Sequence, residues 1–135
     1  MQVDHIMTNV VVSVEMDDSL RVVKDIFDNT NFHHLLVVDN NELTGVISDR
    51  DLLKALSPNV GTLSETSRDA ATLNKRSHQI MTRKPVTIKL GASIQEAISL
   101  FNKHTISCLP VVNTEFQPVG IVSWRDIFRT FQDTL

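Results

Sequence analysis

A single cysteine, Cys108, cannot close a disulfide on its own chain, so no covalent cross-link supports this fold of 135 residues. A lone thiol agrees with a reducing cytoplasm. No window comes near the run of about 18 apolar residues that a membrane-spanning helix needs. The opening MQVDHIMTNVVVSV lacks the basic start and small-residue cleavage site of a secretory signal. Together these absences lead to the expectation of a cytoplasmic protein with no membrane partner. Basic runs are scarce as well. No Lys/Arg cluster exceeds the pairs Lys75-Arg76 and Arg83-Lys84, and the formal net charge is −3. Phosphate-backbone binding needs a basic stripe, which argues against nucleic acid as a partner. What is present is the balance of a globular fold, 41% hydrophobic and 21% charged residues, in a chain long enough to bury one ordinary core or two fused half-units.

The chain repeats itself. Ile6-Met7-Thr8 returns as Ile80-Met81-Thr82 at an offset of 74, and GVISDRDLL (45–53) returns as GIVSWRDIF (120–128) at an offset of 75. One extra residue in the second copy accounts for the difference. Half-units that cannot bury their own apolar faces have to pack on each other, so the repeat governs the reading of everything else.

Each copy follows the same order. A β-branched run, 10–14 in the first copy and 86–88 in the second, predicts a short strand carrying Ser13 or Thr87. A helix comes next. Ser19 or Asp18 is placed to cap Leu20, Val23, Ile26 and Phe27, while Ser93 and Glu96 form an S-x-x-E capping box ahead of Ile94, Ala97, Ile98 and Phe101. The continuous apolar runs 35–39 and 109–113 predict strands buried on both faces. Turns at Asn40-Asn41 and Thr114-Glu115 lead each into a partner, so each copy carries a hairpin. A last helix covers 50–56 or 125–131. Strand, helix, strand, strand, helix is the predicted unit of an α/β fold. The copies occupy 1–56 and 78–135, and a polar linker at 57–77 carries a helix-like stretch near residues 68–75. Low apolar content makes that linker the expected mobile stretch.

The repeated phrase carries the candidate chemistry. Gly45 and Gly120 sit within buried strands, where a missing side chain lets something approach the backbone closely. Ser48 and Ser123 stand where strand turns into helix. Asp51 and Asp126 follow three residues later on the same side of the helix start. A helix N-terminus attracts phosphate, a carboxylate matches two adjacent ribose hydroxyls, and Arg50 and Arg125 add forked donors for phosphate oxygens. Ser-x-x-Asp is also an ordinary cap that stabilises a helix by about 1 kcal/mol. Two copies with Gly, Ser, Arg and Asp at one spacing go beyond what a cap demands, and favour a nucleotide.

With HIMT and QIMT, HHLLVVD and SCLPVVN, and the two Gly-to-helix phrases all in place, the whole chain resembles a tandem pair of CBS domains, a Bateman module. The resemblance covers nearly all residues outside 57–77. It implies two βαββα units related by a pseudo-twofold axis, with clefts that bind adenosine-containing ligands such as AMP, ADP, ATP or S-adenosylmethionine. Carried over by position, Asp51 and Asp126 would hold ribose, and Ser48, Ser123, Arg50 and Arg125 would lie near phosphate. Ser13, Thr87, His34 and Cys108 would line the pockets. It also implies a homodimer built as a disc. The copies differ at two places. Pro110, usual for the family, is Leu36 in copy one, and Asp49 of copy one is Trp124 in copy two, a group able to stack on a base or plug a cleft.

Other chemistry finds little support. His33 and His34 point to opposite faces of a strand and have no evident third metal ligand. Cys108 and His104 lack an orienting group and an oxyanion hole, so Cys108 is read as a small buried hydrophobe. Residues Ile127, Phe128 and Phe131, with Leu135 close by, either face the core or bury a second subunit, as do Leu52, Leu53, Ala55 and Leu56. The expected function is a non-enzymatic adenine-nucleotide sensor. Because the sequence stops four residues after Phe131, its output is expected to act in trans on a separate protein effector. The competing expectation is an interaction scaffold that keeps the fold without the ligand.

Overall fold

The computed structural model describes residues 1–134. They divide into two compact units built from interleaved segments. The first-repeat unit takes Val12–Asn40 and Thr44–Lys84; the second-repeat unit takes Met1–Val11, Asn41–Leu43 and the chain from Pro85 onward. The opening stretch of each repeat therefore packs into the unit of the other repeat.

In the first-repeat unit the chain runs β1 (Ser13–Glu15), α1 (Leu20–Asn29), β2 (His34–Asp39), β3 (Glu42–Ser48), α2 (Asp49–Ala55), α3 (Ser67–Ala71), α4 (Ser77–Ile80) and β4 (Thr82–Arg83). The sheet order is β1-β2-β3-β4. β1 pairs parallel to β2, with Ser13 opposite Leu36, because helix α1 carries the chain back to the same end of the sheet. The β2–β3 hairpin turns at Asn40 and Asn41, whose φ of 51° and 66° are the left-handed angles of the two-residue turn that Asn favours. Leu20, Val23, Leu35, Val37, Ile47, Leu52 and Met81 form the core. Leu36 and Val38 alternate to the other face of β2 and are buried too, as the unbroken apolar run predicts.

The second-repeat unit begins with a 3-10 turn at Val3–His5 and continues β5 (Ile88–Lys89), α5 (Ile94–Lys103), β6 (Cys108–Val112), β7 (Pro118–Ser123) and α6 (Trp124–Phe131), closing on a 3-10 turn. β5 is parallel to β6 and β6 antiparallel to β7. Val3, Ile88, Ala97, Leu109, Val111, Val122 and Ile127 make its core. The extra residue of the second copy lies in this hairpin, where the ladder shifts register between Val111 and Val112. A longer turn follows, held by Asn113 Oδ1 accepting from Glu115 N (3.0 Å) and Gln117 N (2.9 Å).

The exchanged segments dock in matching ways. In the first-repeat unit Leu20 N donates to Lys75 O and Ser77 N to Asp18 O, both at 2.8 Å; in the second, Ile94 N donates to Met1 O (3.0 Å) and Val3 N to Ala92 O (2.8 Å). Each helix start is thus tied down by the lead segment of the other repeat.

Several expectations need correction. The first strands are shorter than the β-branched runs: β1 starts at Ser13, leaving Val10 exposed, and β5 starts at Ile88, leaving Thr87 one residue ahead of it. Branched residues set a preference, whereas pairing along β2 and β6 decides where a strand begins. Ser19 occupies the N-cap position without a side-chain bond, and Asp18 instead accepts from Glu15 N at 2.8 Å. Ser93 accepts from Glu96 N at 3.1 Å, one half of the predicted box. The linker helix ends at Ala71 and tightens into a 3-10 turn at Thr72–Asn74, with Leu73 buried in the first-repeat unit. In α6 only Ile127 is buried, while Phe128 and Phe131 are exposed; in α2 Leu52 is buried and Leu53 exposed. Leu135 lies outside the described residues.

Candidate functional site

What approaches the two glycines is sulfur. A Cβ at Gly45 would stand 2.5 Å from Met81 Sδ and 2.9 Å from the Thr82 carbonyl oxygen; at Gly120 it would stand 2.5 Å from Met7 Sδ and 3.1 Å from Thr8 O. Gly45 pairs antiparallel with Arg83 in β4, and Ile121 bridges Thr8 in the same sense. The repeated Ile-Met-Thr and the repeated Gly are therefore two halves of one packing motif. The sequence shows both repeats but not that they meet; sequence reasoning left open what approaches the backbone and counted the glycines among the signs of a nucleotide.

The repeated Ser and Asp form a reciprocal cap in both units. Asp51 N donates to Ser48 Oγ (3.0 Å) and Ser48 N to Asp51 Oδ2 (2.9 Å). Asp126 N donates to Ser123 Oγ (3.2 Å), and Ser123 N and Oγ donate to Asp126 Oδ2 (2.8 and 3.1 Å). The strand delivers a serine in extended conformation at the first helical turn, where four N–H groups want acceptors. Capping uses Oδ2. In each unit Oδ1 takes no part in the box, and Oδ1 of Asp126 lies 4.0 Å from Arg129 Nη1. Arg50 and Arg125, each one residue before its aspartate in the chain, are exposed.

In the first-repeat unit Ser13 is exposed on β1, and His34 opens β2, half-buried. His33, the preceding residue, faces the other way. Its Nδ1 donates to Asp49 Oδ2 (2.9 Å), while its carbonyl accepts from Asp49 N (3.0 Å). That pair ties the start of β2 to the start of α2, and sequence reasoning missed it because sixteen residues separate the partners. The bond from His33 is the main reason the Asp49 carboxyl sits below its usual range, against a smaller opposing effect of burial.

His34 is held below the ordinary imidazole value of 6.5, chiefly by burial, with Asp49 and, more weakly, Asp51 opposing. An unfolded chain then takes up a proton at His34 before the folded one does. The stability tied to this group is complete above pH 6.5 and is lost as pH falls through the lower folded value. The expected result is a thermal midpoint that drops between pH 7.5 and 5.5, with a smaller drop in His34→Gln. Equal drops in the two proteins would remove His34 from the linkage.

In the second-repeat unit Cys108 takes the place of His34. It is buried, opposite Ser123 in the β6–β7 ladder, and burial pushes its thiol up to about 12. It stays protonated near neutrality, the state of a packed hydrophobe and not of a nucleophile. Thr87 is half-buried ahead of β5. In the first-repeat unit Ser48, Arg50, Asp51 and His34 stand where β3 runs into α2 and β2 begins, and in the second-repeat unit Ser123, Arg125, Asp126 and Cys108 hold the equivalent places in its own sheet. Ser13 and Thr87 lie along the first strands or just before them. Among the described residues no group of three or more His, Cys, Asp or Glu could hold a metal ion, and no helix is long and apolar enough to cross a membrane.

Comparison with known proteins places this arrangement. The family model for the CBS domain matches residues 3–58 and 77–133. A CBS domain-containing protein of Dictyostelium discoideum is 32% identical over 127 residues, covering 93% of this chain and 87% of its own. An inosine-5'-monophosphate dehydrogenase of Nitrosopumilus maritimus is 33% identical over 116 residues, which is 85% of this chain and 21% of the enzyme. The chain thus spans about a fifth of the dehydrogenase. Among solved structures, the CBS domain pair of protein MJ0100, in complex with 5'-methylthioadenosine and S-adenosyl-L-methionine, matches with a TM-score of 0.80 at 27% identity, over 100% of this chain and 98% of that one.

Proposed function

The chain belongs to the CBS domain family, with one match in each repeat, and from that premise we propose that it is a non-enzymatic regulatory module binding an adenosine-containing ligand. The observation that carries the reading is the pair of carboxylates, Asp51 and Asp126, each fixed at a helix start through Oδ2 with Oδ1 outside the cap. A carboxylate so held is pre-oriented to accept from ribose hydroxyls, and the N-terminal dipole and Arg50 or Arg125 favour an anionic group nearby. The complex of the MJ0100 pair with two adenosine compounds supports the ligand class. Ser48, Ser123, Ser13, Thr87, His34 and Cys108 complete the proposed sets. The module acts as a cytoplasmic homodimer on a separate effector protein. A ligand changes that effector's response only through its differential affinity for two arrangements of the module.

Asparagine at both positions separates ligand binding from capping, because its carbonyl oxygen still accepts from the serine N–H while the second acceptor and the charge are gone. Binding of S-adenosylmethionine, 5'-methylthioadenosine, AMP, ADP and ATP, with GTP as control, is measured by calorimetry and thermal shift. A ligand at 100 times Kd adds about 2.7 kcal/mol to stability. The Asp51→Asn, Asp126→Asn protein is expected to melt near wild type and to lose tenfold to a hundredfold in affinity, the equivalent of about 1.5–3 kcal/mol for a hydrogen bond to a charged group. No binding by any adenosine compound at millimolar concentration overturns the reading.

A second reading, a scaffold without ligand, has its own observation. The Gly-Met packing and the Ser-Asp cap explain much of the repeated phrase without any ligand. It predicts partner binding indifferent to both asparagine substitutions.

A further inference from the structure

Met7 and Met81 occupy equivalent places in the two repeats, and each closes on a strand glycine, its sulfur filling the space where a side chain would start. Their surroundings differ. Met81 is 8% exposed and lies between α4 and β4, whose ladder to β3 pairs Arg83 with Gly45 and Thr82 with Val46. Met7 is half-buried, and its segment meets β7 through one bridge, Thr8 N donating to Ile121 O (2.9 Å) and Ile121 N to Thr8 O (3.0 Å). A small reagent in solvent has access to the Met7 side chain that it lacks at Met81.

The Met7 thioether is part of what holds the lead segment Met1–Val11 in the second-repeat unit. Its side chain packs on that unit's core, and its backbone N donates to Val3 O (2.9 Å). Oxidation converts an apolar thioether into a polar sulfoxide, and a sulfoxide oxygen shut away from water needs a hydrogen-bond donor. The seat does not supply one. Gly120 has no side chain, and the neighbouring Ile121 N is already spent on Thr8 O. A sulfoxide at this place therefore turns out to water, and the segment loses the contact that the thioether made.

We propose that Met7 is a modification site, oxidised reversibly by hydroperoxides, and that its sulfoxide releases the lead segment Met1–Val11 from β7. The step balances with hydrogen peroxide as the reagent. The sulfur gives up two electrons and takes one oxygen atom, the O–O bond breaks, and the remaining oxygen leaves as water. A methionine sulfoxide reductase, supplied with two electrons by thiols, returns the thioether and releases the oxygen as water. Met1 is 74% exposed and reacts as well, but its side chain already stands in solvent. Nothing in this step depends on a bound adenosine ligand.

The test treats the full chain with hydrogen peroxide for increasing times. Peptide mass spectrometry follows each methionine, and amide hydrogen exchange follows the backbone. Met7 is expected to react at least about fivefold faster than Met81. Its sulfoxide should speed exchange at the Thr8 and Ile121 amides, the two that form the bridge, by at least about tenfold. In Met7→Leu, a swap of similar volume, the same treatment should leave both amides at their untreated rates, although Met1 and the half-buried Met16 still react. Methionine sulfoxide reductase with dithiothreitol should return the treated wild-type chain to slow exchange, an arm that needs no variant. Equal reactivity of Met7 and Met81, complete Met7 oxidation without faster exchange, or the same acceleration in treated Met7→Leu each overturns the proposal. So does exchange that stays fast once the sulfur has been reduced.

Discussion

Alanine at residue 45 is expected to destabilise the protein by about 1–3 kcal/mol, the range for overpacking a filled site, and by more than alanine at residue 120. Both substitutions push a methyl group into a methionine thioether 2.5 Å away. A thioether is flexible and can swing aside. The difference lies in the backbone behind it. At residue 45 the Thr82 carbonyl oxygen would be 2.9 Å from the new carbon, and Thr82 is held in the β3–β4 ladder opposite Val46. At residue 120 the Thr8 carbonyl oxygen would be 3.1 Å away, on a segment tied by a single bridge to Ile121. Urea unfolding of the two variants reads the order directly as a shift in midpoint at constant slope. Met81→Ala placed in the Gly45→Ala protein should recover part of the loss, because it removes the sulfur and leaves the carbonyl. A variant at 120 that costs as much as the one at 45 would show that the methionine, and not the ladder, sets the price.

Leu35→Ala and Leu109→Ala are each expected to cost about 2–5 kcal/mol, the range for a buried leucine whose loss leaves a cavity. Both side chains are fully buried, at equivalent places in the central strands β2 and β6. Each touches the core of its own unit, where it stands among residues of the sheet and of both flanking helices. Against a total stability of about 5–15 kcal/mol either change removes a large share. Leu53→Ala, on an exposed part of α2, should stay within about 0.5 kcal/mol in the same assay. A Leu35→Ala protein that unfolds at the wild-type denaturant midpoint would mean that this core collapses around the gap at no cost, contrary to close packing.

The repeat, the order of elements and the hairpins were legible because they rest on local signals. Leu35 to Val38 and Leu109 to Val112 are unbroken apolar runs, and an unbroken run has to be buried on both faces wherever it lands. Asn40-Asn41 tolerates left-handed backbone, so the turn follows from residue chemistry. Ser48 with Asp51 and Ser123 with Asp126 form their caps within three residues, and no distant group is needed to place them. The proposed sets draw Ser48, Arg50, Asp51, Ser123, Arg125 and Asp126 from the same short phrases, and Ser13, Thr87, His34 and Cys108 from the resemblance to CBS domains alone.

Other features depend on groups far apart in the chain. That Met7 covers Gly120 and Met81 covers Gly45 is decided by the exchange of lead segments between units, which the spacing of motifs is consistent with but does not dictate. The His33–Asp49 bond, the start of β1 at Ser13 and the exposure of Trp124 and Phe128 are likewise tertiary outcomes. Local propensity ranks what each residue can do, at a few tenths of a kcal/mol to about 1 kcal/mol per position. Burial of a side chain is worth roughly 1.5–3 kcal/mol, so packing between remote segments overrides that ranking and settles which of the possible contacts exist.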